Sequence, residues 1–431
     1  MRKWNIRRRG RRRGMMNNTK RGFILFIALA VACSLILAGS PAIAKTKVVK
    51  IGNILPLSGP SASVGLQGKY ARELATEMIN NAGGIKSLGG AKLQNVYVDS
   101  KSDPTVGVTS AERLINNDRV NILSGCWNSA VTYPATQVAE RYRVPFIVPV
   151  SVRNTITERG FKYTFRIAAK DAWWARDQFE FLKDMEKKTG EPLKTVAFVY
   201  ENGDWGVGMA EQWKPLSEKY GYKIVLNEPY PSTASDLTPV VLKIKRANPD
   251  ILLLTSNASD AILLTNTMAE MGVKPKAVIG TGGGHADPMF SKNCGKNAEY
   301  MFDVVEWEAD LNKPGIPELN AEFKKRHGFG LAGESVDAFA SVFVIADALE
   351  RAGSTDPAKV REALANTHLK SGPGMIVSYD AVEFDESGQN INAGIVMVQF
   401  RMVDRKLERV SVWPENAARA GFKAVFPMPK E

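Results

Sequence analysis

Apolar runs rich in β-branched residues alternate with helix-length segments along most of this chain. That alternation narrows the possible architectures more than any other feature. The runs are Val48–Leu55, Leu93–Asp99, Val120–Ser124, Pro145–Pro149, Thr195–Tyr200, Lys223–Leu226, Ile251–Thr255 and Ala277–Gly280. Helical patterns fall between them at 61–81, 104–118, 129–142, 171–189, 205–220, 236–248 and 258–272. Strands apolar on both faces and separated by helices predict an α/β fold, with parallel sheets covered on each side. There are more βα units than one small sheet holds. Small and polar residues follow the strands: Ser58, Ser124-Gly125, Ser151, Asn202-Gly203, Ser256-Asn257 and Gly282-Gly283-Gly284. Ligands of doubly wound sheets sit at the carboxyl ends of the strands, so these loops are the expected binding loops.

The last third has a different texture. A helix at 334–352 places Val336, Phe339, Val342, Phe343, Ala346 and Leu349 on one core-facing stripe. Asp356-Pro357 opens another helix that runs to about Thr367. Two strand-like runs follow, Ala381–Phe384 and Gly394–Phe400, and the Pro-spaced tail from Ser411 to Glu431 is expected on the surface.

The formal net charge of +12 suggests a nucleic-acid partner until it is located. Residues 1–44 hold ten of the 57 Lys/Arg and no acid, which leaves 47 bases against 45 acids in the remainder. A nearly neutral body carries no electrostatic footprint for DNA or RNA. The basic start leads into the apolar run Phe23–Ala38 and then Ser40-Pro41-Ala42-Ile43-Ala44. This is the layout of a secretory signal with cleavage after Ala44, which predicts a periplasmic mature chain. The apolar run is shorter than the ~20 residues that span a bilayer, so an uncleaved anchor ranks second. Cys126 and Cys294 remain in the exported chain and are expected as free or buried thiols.

Several chemistries are missing. Neither Gly68-Lys69 nor Gly295-Lys296 belongs to a phosphate-binding P-loop, and there is no G-x-S-x-G or H-E-x-x-H. His285, His327 and His368 are scattered, with the last two expected in solvent. No catalytic residue, cofactor or metal site is expected. The triglycine run reads either as an anion cradle built from backbone N–H groups or as a plain turn.

A wider resemblance is carried by Ile51-Gly52-Asn53-Ile54-Leu55-Pro56-Leu57-Ser58-Gly59-Pro60, by Asn80-Asn81-Ala82-Gly83-Gly84-Ile85, and by Asp99 with Ser102-Asp103-Pro104. It continues through Gly125-Cys126-Trp127-Asn128-Ser129-Ala130, Thr157-Glu158-Arg159-Gly160, Asp204-Trp205-Gly206-Val207-Gly208 and Asn248-Pro249-Asp250. In this order the chain, over about 46–400, resembles the periplasmic leucine/isoleucine/valine-binding proteins, the type I solute-binding components of ABC importers. The resemblance implies two doubly wound α/β lobes joined by three crossovers near Ala168, Val304 and Asn390. Lobe one would be 45–168 plus 305–390, and lobe two 169–304 plus 391–431. It also implies a monomer that captures a small-molecule solute between the lobes and hands it to permease and ATPase subunits. A ligand-sensing module for a membrane receptor is the alternative, and an exported hydrolase ranks last.

The resemblance also places site residues. Ser129 and the N–H groups that follow it, Ala130 among them, match the part that takes a ligand carboxylate, a reading favoured over Ser129 as a mere N-cap, though both can hold. Ser151 falls in a second polar loop where Val152 replaces a hydroxyl residue. Trp205 stands where an aromatic wall covers the ligand. Trp127 either replaces the aromatic lost at Val64 or is buried. Asn257 replaces another aromatic and is read as a hydrogen-bonding ligand contact, and Trp173 and Trp174 are expected in the core, with one of them facing the cleft as the alternative. The glutamate that accepts a ligand ammonium in amino-acid binders is replaced within Gly282-Gly283. Hence either Asp287 or Glu334 takes over, or the solute has no α-ammonium. His285 is read as a carbonyl or carboxylate contact or as a solvated turn residue, and Glu334 as a pocket residue or a first-turn acid.

Overall fold

The first apolar run becomes β1 (Val48–Leu55), and its neighbours show how the sequence is wound. On one side lies β2 (Lys92–Asp99) and on the other β3 (Ile122–Gly125), followed by β4 (Phe146–Val148) and β5 (Thr164–Arg166). All pairs in this five-stranded sheet are parallel, in the order β2-β1-β3-β4-β5. The helices between these strands are α1 (Ala62–Asn81), α2 (Pro104–Asn116) and α3 (Ser129–Tyr142).

A second sheet of seven strands follows α4 (Asp171–Thr189). It contains β6 (Thr195–Glu201), β7 (Lys223–Tyr230), β8 (Ile251–Thr255), β9 (Ala277–Gly280) and β10 (Phe302–Val305), all in parallel pairs. The connecting helices are α5 (Asp204–Tyr220), α6 (Thr238–Ala247), α7 (Ala258–Glu270) and the short α8 (Pro288–Cys294). Next come α9 (Ile316–His327), α10 (Gly333–Ala352) and α11 (Pro357–Ala365). The two-residue strands β11 (His368–Leu369) and β12 (Val382–Glu383) pair with each other. Finally β13 (Val396–Val403) and β14 (Lys406–Trp413) extend the second sheet as an antiparallel hairpin beside β10. Asp404 and Arg405 both have positive φ, 48° and 63°, the backbone of a tight turn whose twist matches its strands.

The chain divides into a unit of residues 1–46 and one of residues 47–431. The computed structural model describes residues 48–59 and 61–429. The predicted leader and the cleavage point after Ala44 lie outside the described residues. Among the described residues no helix is long and apolar enough to cross a membrane.

All ten expected strands are present, with ends shifted by a few residues, and the short β5, β10 and β11 and the hairpin partner β14 are additional. The tail departs from expectation: Ser411, Val412 and Trp413 belong to β14, and Phe426 is buried. His327 remains partly exposed, with its ring stacked on Tyr70 at 4.2 Å, and His368 is exposed as expected. Cys126 and Cys294 are both buried free thiols.

Three distant segments meet between the sheets. Arg166, fully buried, donates from Nε to Gln389 Oε1 at 2.6 Å. Gln389 Nε2 donates to Ala168 O at 2.8 Å, and Asn390 Nδ2 to Ile167 O at 3.0 Å. The Ala169 N–H donates to Glu306, just beyond β10. Helix α10, although it follows β10, packs on α1 against the first sheet.

Candidate functional site

Each sheet has one point where strand order reverses around a central strand, and both points face one cavity of about 360 Å³. In the first sheet it lies between β1 and β3, in the second between β6 and β8. Such points leave the loops at the strand ends splayed apart, which makes room for a ligand. The volume is at the small end of ligand-binding cavities.

The wall from the first sheet is made by the loop after β3. Trp127 and Ala130 line the cavity with Ser129. Trp127 adopts a left-handed backbone, φ 83°, which costs a bulky residue of order 1–3 kcal/mol. Its ring covers Gly68, where any Cβ would lie 2.9 Å from the indole. Ser129 is the first residue of α3 and not its N-cap: that position belongs to Asn128, whose side chain makes no capping bond. The unpaired N–H groups of a first helical turn carry partial positive charge, and here Ser129 and Ala130 present them to the cavity. The Ser151 hydroxyl also lines it but is already used, donating to Trp127 O at 2.7 Å and pairing with Thr132. Val64 and Val152 supply apolar lining.

The wall from the second sheet centres on the glycine run. Trp205, in the first turn of α5, lies so close to Gly283 that a Cβ there would fall 2.3 Å from the ring. Trp174 and Glu334 crowd Gly282 in the same way, at 3.0 and 2.7 Å. With φ values of 59° and 51°, these two positions suit glycine on backbone grounds as well. Trp205, Gly283 and Glu334 line the cavity, as do Asn257 at the N-cap of α7 and Asp287 at the N-cap of α8. Burial pushes the Glu334 carboxyl above its usual range, partly offset by the Gly283 N–H, which donates to Oε1 at 2.7 Å.

Three expectations need correction. Gly282 does not line the cavity: its N–H donates to Asp303 Oδ1 at 2.8 Å, and Trp174 and Glu334 stand in front of it. Nor is the glycine run an anion cradle, because its donors are taken by Asp303, by Glu334 and by the Ser256 carbonyl. His285 is neither a ligand contact nor a solvated turn residue. It is fully buried behind the wall, edge-on to Phe290, with its pKa lowered by burial.

Trp174, expected in the core first and in the cleft second, belongs to both. Of the adjacent Trp173 and Trp174, the latter lines the cavity, 2% exposed, and its Nε1 has no hydrogen-bond partner. Sequence reasoning missed Ser61, whose hydroxyl joins the two walls by donating to Asn257 Oδ1 at 3.2 Å. Among the described residues no group of three or more His, Cys, Asp or Glu is placed to hold a metal ion.

Two doubly wound sheets that enclose a small cavity at their strand ends define a solute-binding protein of the type I periplasmic class. The family model described as periplasmic binding protein matches residues 48–400, and the chain belongs to that family. A Leu/Ile/Val-binding protein homolog 7 from Brucella suis biovar 1 (strain 1330) is 31% identical over 400 residues, covering 91% of this chain and 97% of the relative. The fold is similar to that of a leucine-binding protein from Thermotoga maritima MSB8, with a TM-score of 0.73 and 21% identity over 84% of this chain and 97% of that one. It is equally similar to an ABC-transporter solute-binding protein from Rhodopseudomonas palustris BisB5 solved with 3,4-dihydroxybenzoic acid. There the TM-score is 0.74 at 23% identity, covering 88% and 98% of the two chains. The family consists of binding proteins and not of enzymes.

Proposed function

We propose that this chain is an exported receptor that captures one small polar solute and delivers it to the permease and ATPase subunits of an ABC importer. The solute class is an amino acid, an amide or a small carboxylate. The two lobes would be 45–168 with 305–390 and 169–304 with 391–431, closing over the solute as a monomer. One observation carries this reading: a cavity whose two walls come from different sheets, with helix N-termini on one side and Trp205 on the other. Ser129 and Ala130 would take an acceptor oxygen, and Trp205 and Trp127 would cover the solute body. The relatives' names and the neighbours solved with amino acids or an aromatic acid support the solute range.

Calorimetric titration against amino acids, amides and small carboxylates tests the reading. One saturable ligand is expected, with a smaller radius of gyration by X-ray scattering when it is bound. Turnover of that ligand by the purified protein would overturn it. Mass spectrometry of the exported chain is expected to give Lys45 as the first residue, and retention of Phe23–Ala38 would favour a membrane-held sensor.

A further inference from the structure

Where the three distant segments cross between the sheets, two acids are buried that do not line the cavity. Glu306 follows β10, Asp337 lies on α10, and each is only 1% exposed. Glu306 thus belongs to the end of the second sheet, whereas α10 packs on α1 against the first. The two side chains hydrogen-bond to each other. An ionised carboxylate has no proton to donate, so at least one of the two must carry one. Each acid also holds a crossing segment. Glu306 Oε1 accepts from the Ala169 N–H. The Tyr379 hydroxyl is shared between Asp337 Oδ1 at 3.3 Å and the Ile167 carbonyl at 3.4 Å, the carbonyl that Asn390 Nδ2 also reaches at 3.0 Å. Glu306 Oε2 and Asp337 Oδ2 receive no N–H or O–H from the rest of the protein. One end of the second sheet, one helix of the first and the backbone at 167–169 are therefore joined through a bond that needs a proton.

The groups around the pair favour keeping that proton. Among the described residues neither acid takes part in an ion pair. On α10, Glu334 stands one turn before Asp337 and repels both acids. Arg409 acts on Glu334, but its own ion pairs are with Asp303 at 2.9 Å and Glu308 at 2.7 Å. Arg166 on β5 is felt by Glu306, as it is by Asp171, Glu158 and Asp385. Its donors go elsewhere, to Gln389 Oε1, to the Ser151 and Arg153 carbonyls and to Thr157. From the segment before β12 only the Tyr379 phenol faces the pair. Burial and mutual repulsion raise both carboxyls above their usual range. Like charges this close in a dry site cannot both form, so the pair loses its protons as a unit. Each charge that does form must draw in water or push the partners apart.

We propose that Glu306 and Asp337 are a proton-dependent latch on the crossings: the protonated pair ties the two sheets together, and its ionisation at alkaline pH loosens the crossings and weakens solute capture. The last clause rests on the receptor reading and adds regulation to it. The direction follows from linkage. Carboxyls that hold protons more tightly in the folded chain give their full support below the usual carboxylate range, and lose it as pH rises through their raised values.

Hydrogen exchange of the exported chain without solute, read by mass spectrometry at about pH 5.5 and about pH 8, tests the latch. After correction for intrinsic rates, protection over 165–170, 303–307 and 388–391 is expected to fall about tenfold or more at the higher pH. Asp337→Asn and Glu306→Gln keep the shape and supply an amide N–H that does not titrate. In both, protection is expected to differ less than about threefold between the two conditions. Tyr379→Phe leaves both carboxyls in place and is expected to keep the pH step. The functional probes are leucine and 4-hydroxybenzoate, titrated by calorimetry at the same two pH values. A probe that binds is expected to lose about tenfold affinity at the higher pH in the wild type and to lose none of it in Asp337→Asn. Wild-type protection that ignores pH, or a fall of the same size in both amide variants, overturns the latch and leaves the receptor reading standing. The exchange readout needs no solute, so it decides the latch even where calorimetry overturns the receptor reading.

Discussion

The Ser61 hydroxyl donates to Oδ1 of Asn257 at 3.2 Å, although 196 positions separate the two residues. Ser61 opens the helix that covers the first sheet, and Asn257 follows a strand of the second. The same hydroxyl accepts from Asn128 Nδ2 at 2.9 Å, so one atom links both rims of the cavity.

This link belongs to the enclosed state alone if the lobes separate. Ser61→Ala is therefore expected to raise the dissociation rate of the solute about three- to tenfold, from the loss of about 1 kcal/mol, with little change in association rate. Stopped-flow tryptophan fluorescence measures both rates. The Arg153–Glu211 ion pair, at 2.9 Å between the same two halves, is half in water and should contribute less.

Trp205 gives the second prediction. Truncation to Ala removes an apolar face from the cavity and should weaken solute binding by about tenfold or more, a loss of roughly 1.5–3 kcal/mol. Calorimetry is the appropriate readout, since the substitution also removes a fluorophore.

Gly283→Ala should be worse than its size suggests. The added methyl meets the Trp205 ring at 2.3 Å, and the backbone sits at φ 51°. A stability loss of roughly 1–3 kcal/mol is expected by denaturant titration, together with loss of solute binding. Gly295→Ala serves as the control: it shares a positive φ, but a Cβ there meets nothing within 4 Å, and binding should survive.

The fourth prediction concerns pH. Burial pushes the Asp260 carboxyl up to about 6, while Tyr230 donates to it at 2.7 Å. The nearby Glu201 carboxyl is raised by burial as well. An acid whose folded pKa exceeds its unfolded value of about 3.9 holds its proton more tightly when folded. Its contribution is complete below about pH 4 and is lost as pH rises through about 6. Asp260→Asn keeps an acceptor for Tyr230 and should flatten the fall in melting temperature between pH 4 and 7. An unchanged slope would show that the carboxyl does not titrate as described.

The alternation of strands and helices was readable because parallel strands are buried on both faces and carry long apolar runs. The three-residue β5, Thr164–Arg166, is too short for such a run, and β14 alternates charged and apolar residues as an outer strand does. Ser129, Ala130, Trp205 and Asn257 were legible as lining residues because they follow strand ends, whereas Glu334, at the start of α10, was named only through the resemblance. Trp174 was not singled out, because two adjacent tryptophans give no sign of which one a helix turns inward. His285 was misread for a related reason. Three glycines suggest an open turn, but Phe290 packs edge-on against the ring and Arg409 donates to the His285 carbonyl at 2.7 Å.

The backbone donors of Gly282, Gly283 and Gly284 are all engaged by the protein itself. At these three glycines chloride, sulfate and phosphate would find no vacant N–H. The glycine run itself therefore offers an inorganic anion no free donor, despite its three small residues and two positive φ angles.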